Sequence, residues 1–168
     1  MLLSDRTIAS LLDSGDIKIV PAPTNEQIQP ISLDLKLGNS FALQTPEPGQ
    51  WHRFIGAHTV VRPGEFLLAC TEERITLPAH IAGFVHGKST WARKGLMVEA
   101  AGLVDPGFDG TITLELKNLS HHPLPLVAGR AICQLSLHAV DTAVVRPYGS
   151  AGLGSRYQNQ VRAEPPRA

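Results

Sequence analysis

The sequence lacks the features that would assign it to a membrane, secreted or nucleic-acid-binding class. Fifteen acidic and fifteen basic residues give no formal net charge, which argues against a broad basic surface for nucleic acid or anionic lipid. No run approaches the roughly 18 apolar residues of a membrane span, and residues 1–10 lack the basic and apolar segments of a signal peptide. We therefore expect a cytoplasmic protein with no nucleic-acid or membrane partner.

Cysteine and metal-ligand patterns are also scarce. Cys70 and Cys133 lie 63 positions apart in apolar surroundings, which is typical of small buried thiols. They leave room for one disulfide and require none. The seven histidines lack a ligand spacing with carboxylate support, so we interpret them as surface or packing residues.

The sequence contains enough apolar and turn-forming residues for one β-rich domain. Its 168 residues are 43% hydrophobic, which indicates one globular domain with a sizeable core. Periodicity predicts a helix over residues 4–14, capped by Ser4 and ended by Gly15. Short apolar or alternating runs predict strands over residues 17–20, 31–37, 41–43, 65–71, 74–77, 81–86, 111–117, 124–127 and 131–139. Many short strands between glycine and proline turns predict a sandwich, jelly roll or barrel.

The stretch at residues 87–118 contains a concentration of side chains that are suited to catalysis or ligand binding. It reads as a tight turn, a short helical turn, a loop and a strand. Cations and hydroxyls near a helix start suit a phosphate, and the carboxylates that follow suit proton transfer or a magnesium-bound phosphate. The side chains concerned are Lys88, Ser89, Arg93, Glu99, Asp105 and Glu115.

Two features of this stretch have simpler interpretations. The segment GKST at residues 87–90 is similar to a P-loop, but Ala82 stands where that motif requires its first glycine. The simpler interpretation is a polar turn in which Ser89 or Thr90 caps a short helix.

The strand over residues 111–117 leaves a similar choice. Alternation places Glu115 on its polar face. There it is either a solvated carboxylate paired with Lys88 or Lys117, or a general base in a cleft.

Several separated motifs occur in a fixed order. They are IQPISLDLKLG at residues 28–38, GKSTWARKGL at 87–96, AGLVDPGFDG at 101–110, TLELKN at 113–118 and RPYGSAGLGSRYQNQ at 146–160. In this combination the chain resembles the dCTP deaminase branch of the dUTPase-like superfamily. The resemblance implies a mainly β, distorted jelly-roll or β-barrel domain over residues 1–148, with a short N-terminal helix and one short internal helix. It also implies a flexible C-terminal lid over residues 149–168.

The resemblance implies hydrolytic deamination of dCTP to dUTP in pyrimidine deoxynucleotide metabolism, which bifunctional members continue to dUMP. It places the catalytic base at Glu115, with Ser89 holding the water or cytosine and Arg93 stabilising charge. Asp105 would meet the deoxyribose or a water of the diphosphatase step. The nucleotide-binding residues that it implies are Lys88, Ser89, Thr90, Trp91, Ala92, Arg93, Ala101, Asp105, Thr113, Leu114, Glu115, Tyr148, Arg156 and Gln160.

The cofactor and partner expectations follow from the same resemblance. Zinc-dependent base deaminases need a His-x-Glu and a Pro-Cys-x-x-Cys motif, and this sequence contains neither. We therefore expect a zinc-independent reaction in which Mg²⁺ arrives with the triphosphate. The family also implies a homotrimer with sites between subunits and dTTP as an inhibitor, although the residues themselves show neither.

Two departures from the family pattern leave alternatives open. The loop VEAAG at residues 98–102 lacks the His-x-Thr-Ala of the deaminases and is one residue shorter, as in true dUTPases. Glu115 and Arg93 are deaminase features, Gly102 resembles bifunctional members, and Arg156 stands where a lysine is common. The alternatives are a dUTP diphosphatase without deaminase activity and a non-catalytic nucleotide-binding regulator.

Overall fold

The computed structural model describes residues 1–99 and 102–167. The two helices of this part are α1 (Asp5–Ser14) and α2 (Ser89–Ala92), and a 3-10 turn covers Asn25–Gln27. The strands are β1 (Lys18–Val20), β2 (Ile28–Gln29), β3 (Ser32–Gln44), β4 (Trp51–Ile55), β5 (His58–Val61), β6 (Phe66–Thr76), β7 (Ile81–Gly87), β8 (Leu96–Glu99), β9 (Leu103–Val104), β10 (Asp109–Asn118), β11 (Leu124–Val127) and β12 (Ala131–Ala139). No helix among these residues is long and apolar enough to cross a membrane.

Ten of the described strands form one sheet in the order β8-β10-β6-β3-β12-β7-β9. Strands β1, β2 and β4 pair on its flanks, and β5 pairs separately with β11. All of the central pairings are antiparallel. The mainly β architecture with two short helices confirms the predicted fold class.

The core lies between the inward faces of the central strands. One apolar cluster contains Leu33, Leu35 and Leu37 of β3 together with Leu114 and Leu116 of β10, and each is at most 1% exposed. Burial of a leucine side chain contributes about 2 kcal/mol to folding. Since these residues alternate with polar ones, the opposite face of β10 is free to carry functional groups.

Strands β3 and β6 are longer than the sequence predicted. We expected separate strands at residues 65–71 and 74–77, but β6 continues through Glu73, which is buried. Gln27 Nε2 and the Lys36 N–H each donate to the Glu73 carboxylate at 2.9 Å. Desolvation nevertheless raises the pKa of Glu73. Strand β3 passes through Gly38, where an added Cβ would lie 2.9 Å from Cys70 Sγ.

Three local predictions need correction. The prediction that Ser89 or Thr90 caps α2 is wrong, because Lys88 occupies the cap position and no side chain makes a capping bond. Ser4 does occupy the cap position of α1, but its hydroxyl makes no capping bond either. Part of the predicted loop at residues 98–102 belongs to β8, which pairs with β10.

The two thiols are as expected. Cys70 and Cys133 are both free and buried. Desolvation raises the pKa of each thiol, so neither has thiolate character.

Candidate active site

The polar face of β10 forms the floor of a cavity of about 420 Å³. The C-terminal tail, from residue 149 onward, contributes part of its wall. None of the described residues that line it is cationic, and the carboxylates of Asp105, Glu115 and Glu164 lie along it, so we call it the acidic cavity. The residues implied by the sequence motifs that line it are Asp105, Thr113, Glu115, Tyr148 and Gln160.

Glu115 is held by strands on both sides. Its Cα partner on β6 is Leu68, and its Cα partner on β8 is Glu99. Since Leu114 and Leu116 are fully buried in the core, alternation directs Glu115 to the opposite face, where it is half-buried. A carboxylate fixed in this way is suited to accept and deliver protons.

Asp105 enters the acidic cavity from the turn after β9. The Phe108 N–H donates to the Asp105 carbonyl at 3.1 Å, which closes the turn. Gly107 has φ +89, and a Cβ at this position would lie 2.5 Å from Pro147 Cβ. Glycine therefore permits both the turn and the close approach of the tail.

The tail runs along β10 and is anchored by Gln160. Gln160 Nε2 donates to the Thr111 carbonyl at 2.6 Å, and the Thr111 N–H donates to the Gln160 carbonyl at 3.0 Å. The Thr113 hydroxyl donates to Gln160 Oε1 at 3.3 Å. These bonds leave the Gln160 residue only 5% exposed and bring the tail over the polar face of β10.

Further contacts hold the tail residues that precede Gln160. The Tyr157 N–H donates to the Tyr148 hydroxyl at 3.0 Å. The Arg74 guanidinium donates to Asp109 at 2.8 Å and to Asn159 at 2.9 Å. Desolvation acts most strongly on the Asp109 carboxyl and raises its pKa, but hydrogen bonds from Arg74 and Thr76 outweigh it and leave the pKa lowered.

Sequence reasoning missed several residues of the acidic cavity. Tyr157 and Glu164 reach it from the tail, and Trp51, Phe66 and Gln44 reach it from the β3–β4 and β6 region. The sequence gives little indication that these residues share a cavity. The tail is mostly polar, and it lies far from these strands along the chain.

The residues implied around α2 lie elsewhere. Lys88, Thr90 and Trp91 line a second hollow of about 390 Å³. Ser89, Ala92 and Arg93 are exposed and line neither space. A single chain therefore does not place the whole implied set around one cavity.

Lys88 is bound to β3 through an ion pair. Its Nζ donates to Asp34 Oδ2 at 2.6 Å. Gln134 Nε2 donates to the other carboxylate oxygen of Asp34 at 3.2 Å. Both charged side chains are less than one-fifth exposed, so this pair is part of the fold around α2.

Three more implied residues complete the set. Leu114 is buried in the core, and Arg156 is exposed and donates to the Arg167 carbonyl at 2.8 Å. Ala101 lies outside the described residues.

Comparison with known sequences gives matches over most of the chain. Residues 2–140 match the family model described as dCTP deaminase-like. The "dCTP deaminase, dUMP-forming" of Corynebacterium glutamicum is 41% identical over 183 residues, covering 100% of this chain and 96% of the relative. The protein of the same description from Thermobifida fusca is 39% identical over 188 residues, covering 100% of this chain and 93% of the relative.

Comparison with solved structures gives the same fold. The 2′-deoxycytidine 5′-triphosphate deaminase from Agrobacterium tumefaciens matches with a TM-score of 0.68 and 22% identity over 82% of this chain. The match spans 47% of that longer chain. The dUTPase from phage phi11 of S. aureus matches with a TM-score of 0.56 and 14% identity, covering 77% of this chain and 94% of the phage protein.

Proposed function

The chain belongs to the dCTP deaminase-like family, and on this premise we propose that it hydrolyses dCTP to dUTP and continues to dUMP. Support comes from relatives described as dCTP deaminase, dUMP-forming, that align along the whole chain. The observation that carries the proposal is the presence of Glu115 and Asp105 in one cavity. Two carboxylates beside one bound nucleotide offer a base for each of two hydrolytic steps.

In the first step, Glu115 takes a proton from the water that attacks C4 of cytosine. It then passes protons to N3 and to the departing amine, so that dCTP and water give dUTP and ammonia. The carboxylate takes the place of the zinc ion that activates water in the zinc deaminases, whose ligand motifs the sequence does not contain. This role requires a fixed carboxylate, and the ladder on both sides of Glu115 supplies one.

In the second step, Asp105 activates a water that attacks the α-phosphorus of dUTP. Pyrophosphate leaves and dUMP remains. Mg²⁺ carried by the triphosphate would offset phosphate charge. Among the side chains that the structure describes, no three His, Cys, Asp or Glu residues form a metal-binding group.

The proposal assigns the roles of Ser89 and Arg93 to a neighbouring subunit. Ser89 and Arg93 are exposed and lie outside the acidic cavity of their own chain. In the proposed homotrimer, a neighbour's Ser89 and Arg93 complete the site around Glu115. Ser89 then orients the water or base, and Arg93 stabilises developing charge.

The test is incubation of the purified protein with Mg²⁺ and either dCTP or dUTP, followed by anion-exchange separation of the products. We expect dUMP and ammonia from dCTP. Consumption of dUTP alone would favour a dUTP diphosphatase, for which the exposed Asp105 in the cavity and the short loop are the supporting observations. If neither nucleotide is consumed, the proposal is wrong and a nucleotide-binding regulator becomes the better reading.

A further inference from the structure

The second hollow lies between α2 and the turn that joins β11 to β12. The described residues that line it include Lys88, Lys94 and Arg130 and no acidic residue, so we call it the basic hollow. Trp91, Pro125 and Val127 supply apolar walls. Its volume of about 390 Å³ falls within the range of small-molecule sites.

Lys94 and Arg130 carry the net charge of the basic hollow. The charge of Lys88 is compensated by Asp34 at 2.6 Å. In the described part of the chain, neither Lys94 nor Arg130 forms an ion pair with a carboxylate. Two positive charges therefore remain uncompensated beside apolar walls, and together they create a local positive potential that attracts an anion.

Local contacts hold the Lys94 side chain and the backbone of Arg130. Lys94 Nζ lies 4.7 Å from the centroid of the Trp91 ring, and the indole N–H of Trp91 donates to the Ala131 carbonyl at 2.8 Å. The backbone of Arg130 is tied to β3, because the Leu37 N–H donates to the Arg130 carbonyl at 2.9 Å. Such anchoring lowers the entropy cost of binding a ligand between the two side chains.

We propose that the basic hollow binds the terminal phosphate groups of the nucleoside triphosphate, with Lys94 and Arg130 as ligands. This inference rests on the proposed function and extends its phosphate subsite beyond the residues that the motifs imply. The acidic cavity repels a polyphosphate, so the anionic end of the nucleotide needs a cationic surface elsewhere. The proposal therefore requires that, in the proposed trimer, one subunit's basic hollow lies beside a neighbour's acidic cavity and supplies that surface.

The test uses Lys94→Ala, Arg130→Ala and the double variant. We measure KM and kcat for dCTP and the inhibition by inorganic tripolyphosphate. Loss of a charge-assisted hydrogen bond to phosphate should raise KM about tenfold for each single variant. The kcat should stay within about twofold of wild type, because neither side chain meets the reacting base. Tripolyphosphate inhibition should weaken by the same factor as dCTP affinity.

Two controls separate phosphate binding from general electrostatics and from misfolding. The variant Arg6→Ala/Lys18→Ala removes two exposed positive charges outside the basic hollow and should leave KM unchanged. Lys94→Arg keeps the charge and should retain most of the affinity. A folded double variant with wild-type KM and wild-type tripolyphosphate inhibition would overturn the proposal, as would an equal loss in the control.

The two proposals can fail separately. If the wild-type protein turns over dCTP but the variants match it, the phosphate assignment is wrong and the proposed function stands. If the wild-type protein does not turn over dCTP, calorimetric titration with inorganic tripolyphosphate still decides the chemistry of the basic hollow. Binding that the double variant loses would support it, and equal binding would refute it.

Discussion

The acidic cavity and the basic hollow are opposite in charge and are built in different ways. Glu115 in the acidic cavity is half-buried on a central strand with neighbours on both sides. Lys94 and Arg130 in the basic hollow are exposed and lie just after a four-residue helix and in a turn. The chain as a whole has no formal net charge, so the separation is local.

This difference matches what each region is proposed to do. Proton transfer depends on a carboxylate held in one place, which a strand in a sheet provides. Phosphate binding depends on charge and reach, which long side chains on short elements provide. The proposed division of roles can be tested by changing the charge of either region. It would be wrong if a single chain provided both proton transfer and phosphate binding.

The largest expected effect comes from placing the loss of Glu115, in the acidic cavity, and the loss of Arg93, beside the basic hollow on α2's C-terminal side, on separate chains. Glu115→Gln and Arg93→Ala should each lower deamination about a hundredfold or more, because one removes the base and the other a charge-stabilising group. If the site is shared between neighbouring subunits, co-refolding the two variants should restore activity. Random assembly leaves about a quarter of the sites with both residues intact.

The measurement is ammonia release from dCTP before and after co-refolding of the two variants. Each variant refolded alone provides the baseline, and thermal unfolding checks that both are folded. No recovery in the mixture would show that Glu115 and Arg93 act within one chain, and the shared site would then be wrong.

Local periodicity predicted much of the fold. The strands at residues 124–127 and 131–139 and the end of α1 at Gly15 are confirmed. The failures occur where distant residues decide the structure. Strand β6 crosses Glu73 because Gln27 and Lys36 satisfy its carboxylate, and no local pattern reveals those partners.

The residues of the candidate site were likewise only partly predictable from the sequence. Alternation alone placed Glu115 on the polar face of its strand, and the resemblance singled out Asp105 and Gln160, which line the same cavity. The pairing of Lys94 with Arg130 could not be predicted, because 36 positions separate them and only the β11–β12 turn brings them together. The sharing of residues between subunits remains a prediction.

An intermediate effect is expected from loosening the tail over the acidic cavity. Gln160→Ala removes the side-chain bonds to Thr111 and Thr113. Loss of two such bonds should lower the free energy of unfolding by about 1–3 kcal/mol and increase hydrogen exchange in the tail. Gln50→Ala, in an exposed loop, is the matched control. Unchanged tail protection in Gln160→Ala would show that other contacts hold the tail.

The smallest expected effect tests whether Asp34 tunes the charge of the basic hollow. Asp34→Asn keeps the size of the side chain but removes the partner of Lys88, which should lower the free energy of unfolding by about 1 kcal/mol. The same change leaves Lys88 uncompensated, so the affinity for tripolyphosphate should rise about threefold. Calorimetry and denaturant unfolding measure the two quantities separately.

Glu65→Gln is the control for Asp34→Asn, because it removes one negative charge from the ion pair with Arg62 outside the basic hollow. It should leave tripolyphosphate affinity unchanged. A fall in affinity in Asp34→Asn would mean that Asp34 serves chiefly to position Lys88 for the ligand. A rise would mean that compensation by Asp34 limits the charge of the hollow, and that Lys94 and Arg130 supply the attraction in the native protein.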